Sequence, residues 1–550
     1  MQTFLPGCRW QTVILLLCGA ILFFWRLGVP GLMDPDEGRY AEIAREMLAS
    51  GDFITPQLNF LPYLEKPPLV YWLTALSIWI GGPHEWTARL IPAVSALLGL
   101  SAVYWLARRL FGEETARLAT VITATSAGYF LLGRILTLDM PLTACLTWAV
   151  ALAYVAWRQE ERRALFWAYL AMGLGVLTKG PVAVVLPALI FLVWMILEKQ
   201  WRQWRRLWHP GGALLLVLIV VPWYLLAAWQ NPEFFRYFFW EEHVQRFVNP
   251  RVHAGQPVYF YVGVVLVGML PWTFLLPWAW GASRDKEADA QAASDRRFLL
   301  VWFGVVFVFF SLARAKLFPY LLPGLPPLAL LLARALASTA VDEQQQSSIW
   351  RWTLRGWLLT AAALLAAGFI LFLGAPQTWE RLAFLAPYLT AGGILLAALP
   401  LLLLLGRFSP AARRGILIGG ALILNILLIL GLERLAPQRS PRLLAELINQ
   451  QRQAHSVILG YQSYSQGISF YTGQPVYLFG LRGELDFGLR QRPANPYFFG
   501  TIAQVSAFLQ RHPDFFVIID PENLKIFQSM HPYPVKVLAK WRKYLLIRNG

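Results

Sequence analysis

The chain has 550 residues, of which 57% are hydrophobic and 14% are charged, and its formal net charge is +17. Because soluble domains carry charges on about a quarter of their residues, this composition excludes an ordinary soluble protein and predicts a multi-pass membrane protein. Basic cytoplasmic loops and contact with anionic lipid account for the positive charge. The sequence contains no nucleic-acid-binding motif, so nucleic acid is not an expected partner.

Apolar segments of helical length predict about thirteen transmembrane helices. They cover roughly residues 11–29, 86–107, 115–132, 140–157, 164–179, 181–198, 211–229, 258–280, 298–313, 320–337, 356–375, 388–406 and 415–434. With a cytoplasmic N-terminus, the basic clusters between spans face the cytoplasm, and the first polar loop and the C-terminus lie outside. The short apolar stretch 67–81 would invert this arrangement as a span, so we predict a helix that lies in the interface or re-enters from the outer face.

A polar loop over residues 30–85 follows the first span, and its dense charges mark either a plain aqueous connection or a working site. Its first part predicts an amphipathic helix resting on the outer membrane surface. The apolar face of this helix contains Tyr40, Ile43, Ala44, Met47 and Leu48, and the polar face contains Arg39, Glu42, Arg45 and Glu46. Asp34 is the predicted N-cap, Pro35 the first-turn proline and Gly51 the stop.

Two acidic residues are candidates for catalysis. Asp36 begins the predicted helix, where the positive end of the helix dipole favours an ionised carboxylate. Its alternative role is helix capping, although Asp34 already stands at the capping position. Asp139 lies at the outer end of a predicted span, where it either belongs to a site or caps the next helix.

Several basic residues on the predicted outer face would suit a phosphate group bound between lipid and water. They are Arg39, Lys66, Arg246 and Lys316. Each one alone is better explained as an interfacial side chain that extends its charge into water, and their number on one face is what favours a site. His243 alone reads as an ordinary loop histidine. Together with Glu65 it forms a candidate metal pair that falls short of a full ligand set.

After about residue 436 the composition becomes that of a water-soluble domain. Apolar, β-rich runs at 456–459, 515–519 and 544–547 alternate with helical segments at 441–453 and 501–511. We therefore predict a transmembrane catalytic domain over residues 1–435, which includes the outer loop 30–85, and an α/β domain over residues 436–550 on the outer face. The sequence has no P-loop, no Rossmann glycine signature and no serine-hydrolase elbow.

Several motifs together resemble those of the lipid A aminoarabinose transferases, a family of integral-membrane GT-C-type glycosyltransferases related to protein O-mannosyltransferases. They are D-E-x-R-Y-A-E-I-x-R-E-M-L-x-S-G-D at 36–52, Y-x-E-K-P at 63–67, L-D-M-P at 138–141, T-K-G at 178–180, F-W-x-E-H-x-x-R-F at 239–247 and K-L-x-x-Y at 316–320. The similarity follows the membrane region in order, from about residue 10 to about residue 435, and the first motif is the most specific.

The resemblance implies a GT-C fold with about thirteen spans, periplasmic juxtamembrane helices and a periplasmic C-terminal domain. It implies transfer of 4-amino-4-deoxy-L-arabinose from undecaprenyl phosphate to a lipid A phosphate, by a monomer on the periplasmic face of the bacterial inner membrane. Its functional acids match Asp36 and Asp139, its donor and phosphate positions match Arg39, Tyr40, Tyr63, Lys66 and Tyr320, and its positions for a divalent ion (Zn, Mg or Mn) match Glu65 and His243. Gly38 stands where the family often has Thr or Ser, and we expect little consequence.

On this basis we expect Lys66 and Arg39 to hold the donor phosphate. We expect Asp36 to orient the acceptor or to take its proton in a displacement with inversion. Two alternatives stay open. The acceptor could instead be protein Ser/Thr or another glycolipid. A lipid-linked sugar transporter or flippase would also fit the number of spans, although transporters place ionisable residues near the bilayer midplane.

Overall fold

The computed structural model describes residues 10–245, 255–277, 279, 290–338, 343–373, 380–405, 408–530 and 534–549. Its internal packing divides the chain into two compact units. One, which we call the helical unit, consists of Met1–Trp25, Pro92–Pro222 and Glu241–Gly431. The other, the mixed unit, consists of Arg26–Ile91, Trp223–Trp240 and Leu432–Gly550.

Up to residue 439 the described chain is almost entirely helical. Its α-helices are α1 (Trp10–Phe24), α2 (Asp36–Ser50), α3 (Leu69–Gly81), α4 (Glu85–Phe111), α5 (Glu113–Thr125), α6 (Ala127–Leu132), α7 (Asp139–Gln159), α8 (Arg162–Lys179), α9 (Val182–Leu197), α10 (Pro210–Gln230), α11 (Phe260–Gly268), α12 (Ala290–Leu312), α13 (Leu325–Ser338), α14 (Glu343–Phe372), α15 (Ala386–Leu405) and α16 (Pro410–Arg439). Short 3-10 helices cover Trp201–Leu207, Trp272–Leu275, Phe318–Gly324 and Glu380–Leu385, and a π-helix covers Arg236–Gln245.

Every predicted span overlaps one or two of these helices, so the helical character of the apolar segments is confirmed. Among the described residues, 6 helices are long and apolar enough to cross a membrane. They are Glu85–Phe111, Asp139–Gln159, Pro210–Gln230, Phe318–Ala337, Leu354–Phe372 and Ala412–Arg439. The stretch 67–81 forms the short helix α3, as predicted. The chain is a multi-pass helical membrane protein, and the count of about thirteen spans stays a prediction.

Helix α2 occupies the predicted place in the sequence but not the predicted surroundings. It ends at Gly51, whose φ of 71° is the left-handed conformation that glycine adopts readily. Its apolar side packs on α3, where the rings of Tyr40 and Tyr71 are 5.9 Å apart. On its polar side, Glu42 and Glu46 are fully buried. The expectation of a water-exposed polar face is therefore wrong at these two residues, and the position of the helix on the membrane surface stays a prediction.

The buried carboxylates of α2 are tolerated because each has partners. Glu46 accepts hydrogen bonds from the backbone N–H groups of Asn59 at 2.7 Å and Phe60 at 2.9 Å. These two residues, with φ of 54° and 60°, form the tight turn between β1 (Gln57–Leu58) and β2 (Leu61–Pro62). Burial raises the pKa of the Glu46 carboxyl well above its ordinary value.

Asp34 is not the N-cap of α2. The residue before the helix is Pro35, and no side chain caps the helix start. The Asp34 carboxylate instead accepts a hydrogen bond from the backbone N–H of Gly467 at 3.0 Å and another from the hydroxyl of Ser465. These partners belong to the start of α18 (Gln466–Thr472), where free N–H groups bind an anion well. The capping prediction is wrong because the Asp34 carboxylate binds the N-terminus of α18, which is distant in sequence.

The C-terminal part of the mixed unit is the predicted α/β fold. Its remaining helices are α17 (Arg442–Gln451), α18, α19 (Asp486–Gln491), α20 (Ile502–Arg511) and α21 (Pro521–Met530). Its strands are β3 (Val457–Tyr461), β4 (Tyr477–Phe479), β5 (Phe498–Phe499), β6 (Phe515–Ile519), β7 (Val535–Trp541) and β8 (Tyr544–Asn549). They form a 6-stranded sheet in the order β5-β4-β3-β6-β8-β7. Strands β3 to β6 pair in parallel and β8 runs antiparallel to both neighbours.

Candidate active site

In the mixed unit, the candidate residues of the opening loop gather around the side chain of Arg39. Its guanidinium donates to the Asp36 carboxylate at 3.0 Å and to the phenol oxygen of Tyr63 at 3.0 Å. It also lies 3.1 Å from a carboxylate oxygen of Glu484. The side chain of Arg39 is only 13% exposed, whereas that of Asp36 is 55% exposed. One end of this network is thus a buried cation and the other is an accessible carboxylate at the N-terminus of α2.

Glu484 is a residue that the sequence reasoning missed. It lies in the short 3-10 helix Gly483–Leu485 of the C-terminal fold, and it also accepts a hydrogen bond from the Gln466 side chain. Burial raises the pKa of the Glu484 carboxyl. Nothing in its local sequence distinguishes it from an ordinary loop acid, since only the folding of the mixed unit brings it to Arg39.

The Y-x-E-K-P segment places further candidates in the same unit. Tyr63 is 2% exposed, and burial raises the pKa of its phenol well above the ordinary value, so it stays protonated. Glu65 is 9% exposed. Lys66 is half-buried, and its ammonium donates to the carbonyl oxygen of Glu65 at 3.0 Å. The segment therefore presents a partly accessible cation next to a buried phenol and a buried carboxylate.

The helical unit holds a second acid–cation pair. Asp139, the first residue of α7, lies 2.5 Å from the Lys179 ammonium at the end of α8. The same ammonium lies 4.5 Å from the centre of the Tyr320 ring, a cation–π distance. The predicted residues Asp139 and Tyr320 are thus brought together by Lys179, which was not predicted. The signal for Lys179 in the sequence was a basic residue at the outer end of a predicted span, where the inside-positive bias disfavours one.

Lys316 is also in the helical unit and is 6% exposed. Its ammonium donates to the carbonyl oxygen of Ala313 at 2.6 Å, which closes the short loop between α12 and the 3-10 helix Phe318–Gly324. Tyr261 donates its phenol O–H to the carbonyl oxygen of Leu317 at 3.2 Å and supports the same loop. The structure therefore places Lys316 next to the loop backbone, while its predicted role in binding a substrate stays a prediction.

Two of the predicted residues fall outside what the structure describes. Arg246 lies outside the described residues, and for His243 the backbone is described but the side chain is not. Within the described residues, no group of at least three His, Cys, Asp or Glu side chains is arranged to hold a metal ion. The metal pair of Glu65 and His243 stays a prediction.

Two family models match the chain. Residues 65–226 match the model described as dolichyl-phosphate-mannose-protein mannosyltransferase. Residues 444–549 match the aminoarabinose transferase C-terminal domain. The first match covers the segment that carries Lys66, Asp139 and Lys179, and the second covers the fold that carries Glu484.

Named relatives share substantial identity over their matching part. An undecaprenyl phosphate-α-4-amino-4-deoxy-L-arabinose arabinosyl transferase of Edwardsiella ictaluri is 37% identical over 323 residues, which is 57% of this chain and 58% of the relative. A protein of the same name from Pectobacterium carotovorum is 36% identical over 370 residues, which is 66% of each chain. The matching segment thus spans just under two thirds, or less, of these relatives.

Solved structures extend the similarity to the whole chain. The crystal structure of ArnT from Cupriavidus metallidurans bound to undecaprenyl phosphate superposes with a TM-score of 0.86 at 28% identity and covers 99% of both chains. The archaeal oligosaccharyltransferase AglB of Archaeoglobus fulgidus gives a TM-score of 0.51 at 14% identity over 95% of this chain and 71% of its own, which concerns the fold alone.

The helical architecture and the C-terminal sheet define a membrane protein with the GT-C fold. Within that class, the match to the C-terminal domain model and the full-length match to ArnT are specific to one group. The chain therefore resembles the aminoarabinose transferases over its whole length.

Proposed function

We propose that this chain transfers 4-amino-4-deoxy-L-arabinose from undecaprenyl phosphate to a phosphate of lipid A. The observation that carries the proposal is the full-length likeness to a protein whose crystal structure holds undecaprenyl phosphate. The names of the curated relatives supply the sugar. The lipid A acceptor is what the resemblance to the aminoarabinose transferases implies.

The reaction depends more on stabilising the negative charge of the leaving phosphate than on a residue that activates the acceptor. The bond between C1 of the sugar and the donor phosphate oxygen breaks, and its electron pair stays on the polyprenyl phosphate. An oxygen of the acceptor phosphate forms the new bond to C1, with inversion. Cations near the leaving phosphate lower the barrier, because negative charge accumulates there in the transition state.

The partners of Arg39 suggest a division of roles in the mixed unit. Its guanidinium is already engaged by Asp36, Tyr63 and Glu484, so we assign it to holding those groups in place. Lys66 is half-buried and its ammonium donates to the carbonyl oxygen of Glu65, and we assign this cation to the donor phosphate. Asp36 is accessible and is oriented by Arg39, which suits positioning of the acceptor. A phosphate acceptor titrates near pH 6 and hardly requires a base at neutral pH.

A divalent ion would add Lewis-acid stabilisation of the leaving phosphate when bound. Glu65, as a buried carboxylate, would contribute one oxygen ligand. The described residues provide fewer than three clustered donors, which falls short of a closed protein ligand set. Glu65 and His243 are the proposed pair for such an ion.

The proposed location is the inner membrane, with about thirteen spans and chemistry on the periplasmic face. The positive-inside distribution of basic clusters supports it, because Asp36, Lys66, Asp139 and Lys179 then all fall outside. We retain the division into a membrane catalytic domain at 1–435 and a periplasmic domain at 436–550, and we propose that the protein acts as a monomer.

The decisive test is mass spectrometry of lipid A and total glycolipids from cells that make the sugar donor but lack their own transferase. With this chain, we expect lipid A to gain the mass of one aminopentose. Asp36→Asn and Lys66→Ala proteins that insert normally should lose that product, and Arg45→Lys should keep it. If lipid A is unchanged and another glycolipid or a protein carries the sugar, that molecule is the acceptor. Wild-type turnover in both variants would refute the proposed site.

A further inference from the structure

The connection between α9 and α10 carries a compact surface of tryptophan and basic side chains that the proposed reaction does not use. It folds as the 3-10 helix Trp201–Leu207, in the sequence W-R-Q-W-R-R-L. Trp201, Trp204 and Trp208 are 55%, 54% and 52% exposed. The basic side chains of Lys199, Arg202, Arg205 and Arg206 are exposed as well. We call these seven side chains the Trp–Arg surface.

The segment is held in place rather than loose. The Tyr169 phenol donates to the carbonyl oxygen of Leu207 at 3.0 Å. Arg206 lies 5.7 Å from the centre of the Trp157 ring and 3.5 Å from the Glu160 carboxylate. Arg206 and Leu207 therefore anchor the segment to α7 and α8, and the other exposed side chains project from a fixed base.

The positive charge of this surface exceeds the negative charge around it. Three acids lie on the neighbouring segments and each pairs with an arginine: Glu160 with Arg206 of this surface, Glu161 with Arg109 and Glu198 with Arg297. In the described part of the chain, Lys199, Arg202 and Arg205 have no carboxylate within ion-pair distance. Instead, Arg202 lies 5.4 Å from the Trp201 ring centre and Arg205 5.9 Å from that of Trp204.

The position of the segment fixes its surroundings. It joins the short apolar helix α9 to α10, which is long enough to cross a membrane, so the segment lies at the end of a membrane-spanning helix. Tryptophan prefers the depth of the lipid headgroups, and basic juxtamembrane residues are drawn to anionic lipid. An arginine stacked on such a ring meets a phosphate at that same depth.

We propose that the Trp–Arg surface is a binding site for anionic phospholipid headgroups, with tryptophan rings between the acyl chains and Arg202 and Arg205 on the phosphate. By the inside-positive rule this site faces the cytoplasmic leaflet, so it is separate from the donor and acceptor chemistry proposed above. Its effect is to fix the depth and orientation of α9 and α10 in the bilayer.

The experiment titrates the purified full-length protein with phosphatidylglycerol and, separately, with phosphatidylcholine, and counts bound lipids by native mass spectrometry. Wild-type protein should retain phosphatidylglycerol preferentially, and raised salt should reduce that preference. Arg202→Gln/Arg205→Gln should weaken phosphatidylglycerol binding about fivefold per arginine and leave phosphatidylcholine binding unchanged. Trp201→Leu/Trp204→Leu should shorten retention of both lipids.

The matched control is Arg511→Gln/Lys525→Gln, which removes two exposed charges from the C-terminal fold. Equal losses in this control would show a general charge effect and would overturn the site. Equal wild-type binding of the two lipids would also overturn it, even if the arginine variant failed to fold. Displacement of the bound lipid by millimolar inorganic phosphate would show a soluble-anion site instead.

Discussion

Gly38 of α2 and Gly467 of α18 approach so closely that neither position has room for a side chain. A β-carbon on Gly38 would lie 2.6 Å from the backbone nitrogen of Gly467 and 2.9 Å from its α-carbon. A β-carbon on Gly467 would lie 2.9 Å from the Asp34 carboxylate. The close approach is what lets Asp34 receive the N–H of Gly467. Gly38 therefore has a packing role that its motif did not indicate, while the expectation that glycine at this position has little consequence for function stays a prediction.

We predict that Gly38→Ser destabilises the protein by about 1–3 kcal/mol, the usual cost of overpacking a buried contact. The reason is that the two backbones must separate, which also lengthens the hydrogen bond to Asp34. Thermal unfolding of purified protein measures the change. Gly304→Ala is the matched control, because a β-carbon there meets nothing within 4 Å. A wild-type melting temperature in Gly38→Ser would contradict the packing.

Asp34 should make the stability of the mixed unit depend on pH. Burial raises the pKa of its carboxyl to about 7. Because the folded state holds this proton more tightly than the unfolded state, the contribution of Asp34 is fully present below about pH 4 and is lost as the pH rises to about 7. The shift corresponds to about 4 kcal/mol at most.

The comparison that isolates this effect is wild type against Asp34→Asn. The asparagine can still accept from the Gly467 N–H, but it does not ionise. Between pH 5 and pH 8 we expect the melting temperature of the wild type to fall relative to that of Asp34→Asn. Parallel curves would mean that Asp34 is ionised in the folded protein throughout this range.

The sequence predicted helices well because lipid-facing segments must be apolar and helical. It predicted the C-terminal strands β3, β6 and β8, since runs such as Phe515–Ile519 are short, β-branched or aromatic and bounded by turns, but it did not name β4, β5 or β7. The prediction for α2 was wrong, because a charged helix face is interpreted as exposed to water when the residues that bury it are distant in sequence. Glu46 is buried only because the turn at Asn59 folds onto it.

The candidate site shows the same limit. Asp36, Arg39 and Tyr63 could be grouped from the sequence because a short loop brings them together. Glu484 could not, since its approach to Arg39 depends on the packing of a distant domain segment. Asp139 was visible as an acid at a helix start, but its pairing with Lys179 required the relative position of α7 and α8.

Arg39 should be irreplaceable by lysine. A guanidinium holds several N–H donors in a fixed planar arrangement. A single ammonium cannot contact Asp36, Tyr63 and Glu484 with the same geometry. We expect Arg39→Lys to lower sugar transfer about 100-fold, comparable to the loss of one preorganised donor group. Glu484→Gln should lower it less, because the amide still accepts one hydrogen bond. Turnover with a defined lipid acceptor is the measurement.

The control for Arg39 is Arg45, one turn and a half further along α2. Its side chain is 15% exposed, similar to that of Arg39, but its ion pair is with Glu42. Arg45→Lys should therefore keep most of the activity. If both lysine variants lost activity equally, the effect would reflect the integrity of α2 rather than the geometry around Asp36.

The Asp139–Lys179 pair allows a structural role to be separated from a functional one. Their side chains are 12% and 15% exposed, so removing one partner leaves a largely buried charge. We expect Asp139→Asn or Lys179→Met to cost about 3–5 kcal/mol. The double variant should recover most of that stability, while Glu161→Gln, at an exposed pair with Arg109, should change it by less than about 1 kcal/mol. If the pair also serves catalysis, the double variant stays inactive although it is stable. Recovery of both stability and sugar transfer in the double variant would assign the pair to folding alone.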